Sequence, residues 1–260
     1  SPDSGLGKTT ALHAAASIWG DPAKLTLKDS DTVNSKMNRA EIMNNLIMLY
    51  DELTNTPSMD LSNLVYQLTS GSQRNRLAQS ANMERVRGMI WKLMGISTGN
   101  TSVVEKMQAF KAIPKGELMR VLEIRALKVP GLTKEDTDQL SLRLINNYGH
   151  AAIPFLQYVI ANITQVRDDY KEIQRRMDSR LKLSYQERFY SVMVANALMG
   201  LIISNQLGLT DFDIKKVRVW LEGIMSITLD RVSAIQLDPE HILNNFWAEN
   251  WNNTLRIKSS

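Results

Sequence analysis

Ser4-Gly5-Leu6-Gly7-Lys8-Thr9-Thr10 sets two glycines, a lysine and two threonines in one short run. Those residue types in that order suit a loop that cradles phosphate. Glycines let backbone N–H groups approach phosphate oxygens, and a helix that follows presents its positive N-terminus to them. Lys8 would reach the β- and γ-phosphates of ATP, and the Thr9 hydroxyl would hold Mg2+. Ser4, Gly5, Leu6, Gly7 and Thr10 would complete the cradle. The pattern's first glycine is replaced by Pro2, and the strand that should deliver such a loop is missing, so the chain reads as cut just before it. A glycine-rich turn ahead of a helix is the plainer alternative.

Further along, Leu46-Ile47-Met48-Leu49-Tyr50-Asp51-Glu52 is an apolar strand closed by two acids, the Walker B arrangement. Asp51 would hold the magnesium through water, and Glu52 would act as general base on the attacking water. A solvated acidic turn could end a strand the same way, but the two runs together point to ATPase-type nucleotide binding. A neighbouring strand would end in Ile96-Ser97-Thr98-Gly99-Asn100. A polar group at its tip could orient the lytic water, with Asn100 the first choice and Thr98 the second; a plain strand-ending turn is the alternative.

Gly71-Ser72-Gln73-Arg74-Asn75-Arg76 lies between a predicted helix and a strand. Arg74 or Arg76 could act as a finger on a neighbouring subunit's nucleotide, contact a nucleic-acid backbone, or simply be solvated. Arg85, Arg87 and Lys92 against Glu84 extend a basic stretch suited to a polyanion. Arg120 and Arg125 could sense the γ-phosphate in cis, with structural salt bridges as the alternative. The five tryptophans read mainly as core residues.

The elements that must position these groups change character along the chain. In the first part helices are expected at Lys8–Ile18, Arg39–Asn45 and Ser62–Leu68, and buried strands at Leu46–Tyr50 and Met89–Ile96, with a third at Met119–Ile124. This is α/β: a largely parallel sheet covered by helices, of the P-loop NTPase kind (AAA+ or RecA-like) with its leading strand missing. After Val129-Pro130-Gly131 the periodicity is helical throughout, with candidates at Lys134–Tyr148, Ile153–Arg180, Tyr185–Gln206, Asp213–Leu229 and His241–Asn250. A division follows into residues 1–130, a truncated ATPase core, and 131–260, a helical C-terminal region.

Composition narrows the classes. At 260 residues with 43% hydrophobic and 22% charged, wholesale disorder is excluded. With no cysteine, thiolate nucleophiles, thiolate metal sites and disulfides are absent together. Three separated histidines, His13, His150 and His241, make a histidine zinc site improbable. No run approaches the roughly 18 apolar residues of a membrane span, and no leader-like N-terminus is read, so a cytoplasmic protein without a membrane partner is expected. The net charge of +4 permits an anionic partner without requiring one.

The chain resembles a family of P-loop ATPases of phages and mobile elements, known as a conserved domain of unknown function and similar to superfamily-three helicases attached to primases. The stretches that carry the resemblance are Ser4 to Leu12 running into Ala16-Ser17-Ile18-Trp19-Gly20-Asp21-Pro22, then Leu49-Tyr50-Asp51-Glu52-Leu53 and Arg120-Val121-Leu122-Glu123-Ile124. Asn147-Tyr148-Gly149-His150-Ala151 with Pro154-Phe155 follows, then Glu187-Arg188-Phe189, Ala195 and Gly208-Leu209. The resemblance implies an ATP-hydrolysing, helicase-like motor on DNA, expected to be single-stranded, in phage or plasmid replication. It also implies a homo-oligomer, possible as a hexameric ring, a fused or associated primase module, and a bacterial host cytoplasm. By it Lys8, Thr9, Asp51 and Glu52 take the nucleotide roles, and Arg74 or Arg76 the trans-acting finger. A packaging or partition motor, or a nucleotide-gated assembly module, would share the same motifs.

Overall fold

A computed structural model describes residues 6–28, 30–72, 90–108 and 115–236, with positions 240, 243–244, 246–247 and 250–251 beyond them. Helix α1, Lys8–Trp19, is rich in alanine and places Leu12 and Ala16 one turn apart. Both are fully buried and pack with Leu49, which fixes the helix against the sheet. Gly20 ends it, and the Asp21 carboxylate caps the short α2, Pro22–Leu25, by accepting from the Ala23 N–H at 3.0 Å.

Three short strands form a parallel sheet in the order β1 (Thr26–Leu27), β2 (Met48–Tyr50), β3 (Gly95–Ser97). Thr26 pairs with Leu49 and Leu27 with Tyr50 on one side of β2; Met48, Leu49 and Tyr50 pair with Gly95, Ile96 and Ser97 on the other. All three residues of β2 are buried, as expected for a strand covered on both faces. Helix α3, Val33–Met43, runs between β1 and β2, and α4, Ser58–Ser70, follows β2 after a 3₁₀ turn at Leu53–Asn55. Met37, Ala40, Leu61, Leu64 and Met107 close the core over Met48 and Tyr50.

Two strand expectations change here. The segment before β3 is not a buried strand over its described part: the strand is confined to Gly95–Ser97, with all three residues exposed. Trp91 instead inserts its ring into the core and donates its indole N–H to the Leu68 carbonyl at 2.7 Å. Among the tryptophans it alone is buried; Trp220, Trp247 and Trp251 are exposed, contrary to the core reading. Met119–Ile124 forms no strand, because its groups are committed to side-chain contacts described below.

After α5 (Val103–Gln108) and α6 (Lys115–Leu118) the chain is helical: α7 (Lys134–Asn146), α8 (Ala152–Ala161), α9 (Ile163–Leu181), α10 (Arg188–Gln206, preceded by a 3₁₀ turn at Tyr185–Glu187) and α11 (Ile214–Gln236). The single helix expected over Ile153–Arg180 breaks at Asn162, whose side-chain amide donates to the Tyr158 carbonyl at 2.9 Å and competes with the helical ladder. The expected helix at His241–Asn250 lies largely outside the described residues. Met177, Tyr190, Val194, Leu198, Leu221 and Met225 form a second core between α9, α10 and α11. Tyr190 donates its hydroxyl to the Leu118 carbonyl at 2.7 Å, and its burial pushes that hydroxyl's pKa up. No helix among the described residues is long and apolar enough to cross a membrane.

Candidate functional site

The N-terminus of α1, the ends of β2 and β3 and the start of α7 converge on a cleft of about 580 Å³. Gly7 precedes α1 with φ 76° and ψ 17°, a left-handed conformation that glycine adopts without a Cβ penalty. Among the described residues no side chain caps this helix, and no acid sits in its first turn, so its N–H groups are presented to the cleft with the positive end of the helix dipole. Leu6, Gly7, Lys8, Thr9 and Thr10 line that wall.

Asp51 and Glu52 follow β2 directly. The Asp51 N–H donates to the Leu27 carbonyl at 2.9 Å, anchoring the turn to β1. Two hydroxyls converge on Asp51 Oδ1: Thr98 Oγ1 donates at 2.5 Å and Thr9 Oγ1 at 3.3 Å. Thr98 Oγ1 in turn accepts the Glu52 N–H at 3.0 Å. Glu52 is held at φ 53°, ψ 38°, a left-handed conformation that costs a non-glycine residue about 1–3 kcal/mol. The bonds from Glu52 N–H to Thr98 Oγ1 and from Leu53 N–H to the Thr98 carbonyl, at 3.0 Å each, hold it there. Glu52 lines the cleft, and its carboxylate accepts from Asn55 Nδ2 at 2.9 Å.

Lys8 Nζ donates to Asn100 Oδ1 at 2.7 Å and to the Gly99 carbonyl at 3.1 Å. The β3 tip and the glycine-lysine run thus meet, although 92 positions separate Lys8 from Asn100. A Cβ on Gly99 would stand 2.6 Å from Thr54 Cγ2, so glycine is needed for that close approach. The Asn100 N–H donates to Thr54 Oγ1 at 3.2 Å and fixes the loop from behind.

The structure therefore brings together Leu6, Gly7, Lys8, Thr9, Thr10, Asp51, Glu52, Thr98 and Asn100. It does not bring Arg120 there. That guanidinium lies between the Tyr66 and Phe189 rings, 5.2 and 4.9 Å from their centroids, and donates to the Gly116 carbonyl. Arg120 is not among the residues that line the cleft. Ser4, Gly5, Arg74 and Arg76, with Arg85 and Arg87, lie outside the described residues.

The sequence reading missed the opposite wall, formed by Lys128, Val129, Leu132, Thr133, Lys134, Thr137 and Asp138. Its signal was local: Thr133 and Asp136 form a capping box at the start of α7, an S/T-x-x-acid pattern ahead of a helical run. Nothing local announces that this terminus faces Lys8. The docking depends on α1: the Gly149 N–H donates to the Ser17 carbonyl at 2.7 Å, and Trp19 meets Phe155 edge-on with centroids 6.2 Å apart. Lys8, Lys128 and Lys134 give the cleft three ammonium-bearing side chains, a setting that favours an anionic ligand.

Among the described residues no group of three or more His, Cys, Asp or Glu could hold a metal by itself. One carboxylate and one hydroxyl do stand side by side there, the Thr9 hydroxyl 3.3 Å from Asp51 Oδ1. That donor set fits magnesium, which is held through one or two protein oxygens together with water and phosphate.

Comparison with known proteins agrees with this geometry at the level of fold. A family model described as a domain of unknown function (DUF927) matches residues 2–87. The solved structure of SCCmec type IV Cch, an active helicase, is similar to this chain with a TM-score of 0.68 and 22% sequence identity. The likeness covers 95% of this chain and 45% of the helicase chain, so the present sequence spans less than half the length of that protein. No curated protein matches the chain. The fold is thus a mixed α/β one, mostly helical around a small parallel sheet, and similar to that of a helicase.

Proposed function

We propose that this chain is the ATP-hydrolysing motor part of a helicase-like protein that moves on DNA during replication of a phage or mobile element. The observation that carries the reading is the convergence of Lys8, Thr9, Asp51, Glu52 and Asn100 on one cleft at an open helix N-terminus. The likeness in fold to an active helicase supports it.

In this reading residues 4–10 are a phosphate-binding loop. Its backbone N–H groups and Lys8 hold the β- and γ-phosphates of ATP, and Thr9 and Asp51 hold Mg2+, which neutralises phosphate charge when bound. Glu52, which lines the cleft, accepts the proton of the attacking water. Asn100 orients that water while Lys8, its present partner, turns to the phosphates. Lys128 and Lys134 add positive charge from the second wall. The chain divides into an ATPase core over 1–130 and a helical region over 131–260, and works as a homo-oligomer, a hexameric ring by the family likeness. Arg74 or Arg76 serves as the finger in trans. A primase module, fused or associated, single-stranded DNA and the host cytoplasm complete the proposal.

The test is ATP hydrolysis by the full-length protein with and without single-stranded DNA, beside the Glu52→Gln variant. Expected are DNA-stimulated hydrolysis and a loss of about 10²–10⁴-fold in the variant with nucleotide binding retained. Absence of nucleotide binding in the wild type would sink the phosphate-loop reading. Hydrolysis indifferent to DNA would sink the motor and leave a nucleotide-gated assembly module.

A further inference from the structure

The loop that carries Asn100 is tied to the helical end of the chain through one carboxylate. Glu123 accepts hydrogen bonds from the Ser102 hydroxyl at 2.8 Å, the Val103 N–H at 2.5 Å and the Val104 N–H at 3.3 Å. It therefore closes the N-terminus of α5, where a negative charge meets the free N–H groups and the positive end of the dipole. Arg231 of α11 grips the same group. Its Nη1 donates to Glu123 Oε2 at 3.0 Å, and its Nη2 donates to Glu105 Oε1 at 2.9 Å and Ser102 Oγ at 3.3 Å. Beside it Val232 is buried against Val104 and Leu118, so a shift of α11 would drag on the start of α5.

Asn100 stands two residues before Ser102, with no regular element between them. On its other side the loop is fastened to the sheet, where the Thr98 N–H donates to the Tyr50 carbonyl at 3.0 Å. The stretch that holds the amide beside Lys8 is thus pinned at one end by β2, at the Asn100 N–H by Thr54, and at the other end by the Glu123–Arg231 clasp. Neither Glu123 nor Arg231 lines the cleft itself.

We propose that Glu123 and Arg231 are positioning residues that set Asn100 against Lys8, and that through them a displacement of α11 is passed to the cleft. This deepens, and rests on, the ATPase reading above. The device would let whatever engages the helical end alter hydrolysis without touching the nucleotide.

The experiment measures kcat, KM and the affinity for a fluorescent ATP analogue in the full-length protein. The variants are Arg231→Ala, Arg231→Lys, Asn100→Ala and the double change Asn100→Ala with Arg231→Ala. Expected is a fall of about tenfold in kcat for Arg231→Ala, as for a misaligned reacting group, with KM and affinity within about twofold. Arg231→Lys should regain most of it. On the Asn100→Ala background Arg231→Ala should cost nothing more, because its effect runs through a side chain already removed. Arg231→Gln serves the same comparisons if the alanine variant does not fold. An unchanged kcat in Arg231→Ala, losses that multiply in the double variant, or parallel loss of nucleotide affinity would overturn the proposal while leaving the ATPase reading intact. A wild type that neither binds nor hydrolyses ATP would overturn both, and is recognised before any variant is compared.

Discussion

The two walls of the cleft are built on different principles. Behind Asp51 and Glu52, the three residues of β2 are fully enclosed, and Thr98 and Thr9 tie the Asp51 carboxylate to β3 and α1. Across the cleft, α7 has no buried residue at all and α8 only Ala152. Yet α8 reads Ala-Ile-Pro-Phe-Leu-Gln-Tyr-Val-Ile-Ala, as apolar as any stretch of the chain. Its Ile153 and Ile160 are 61% and 72% exposed. The comparison teaches that the proposed nucleotide-handling residues sit on the wall whose position is over-determined by core and hydrogen bonds, while the facing wall packs on α1 and α2 without a buried residue of its own in α7.

That difference can be broken most directly by truncating one apolar residue in each region. Leu64, completely buried in α4 behind the sheet, should cost about 2–5 kcal/mol as Leu64→Ala, because a cavity is left that the core cannot close. Ile160→Ala in α8 should stay within about 0.5 kcal/mol. Denaturant unfolding of both variants is the check, and equal losses would mean that α8 is covered in solution.

A smaller effect probes the start of α7. Thr133 Oγ1 accepts the Asp136 N–H at 3.1 Å, and Asp136 Oδ2 accepts the Thr133 N–H at 2.9 Å. Thr133→Ala should remove about 1 kcal/mol of local stability. Amide exchange in the first turn of α7 should rise while that of β2 stays unchanged. Exchange rising equally in both would show the walls to be one cooperative unit.

The smallest expected change lies on the exposed face of α9. Hydrogen bonds from Arg175 and then Arg176 hold the Glu172 carboxyl down to about 2. A lowered folded-state value means that its contribution is present above the unfolded value and is lost as pH falls from there through about 2. Carbon-detected NMR titration of Glu172 should show this, and Arg175→Ala with Arg176→Ala should return it toward 4.5. An unmoved titration would show the two ion pairs to be absent in solution.

Legibility was uneven for physical reasons. The helix at Lys8 and the strand at Met48–Tyr50 were readable because glycine, a helix-compatible run and an uninterrupted apolar stretch act locally. Strand β1, two residues long, carries no period and went unseen. The apolar run at Met119–Ile124 reads as a strand, but Glu123 is spent on α5 and Arg120 on two rings. Trp220 shows the reverse: a residue type associated with burial stands half exposed.

The sequence by itself determined the residue types and the order of elements: glycines before a lysine-threonine helix, an apolar strand ending in two acids, and a polar loop after another strand. Only the tertiary structure decided that Lys8 meets Asn100, that Thr98 rather than solvent holds Asp51, and that the start of α7 supplies the second wall. Those pairings span from 47 to 92 or more positions in the chain. Local propensity acts over a helical turn or a strand pair, whereas contacts at such separations exist only once packing has closed the loops between them.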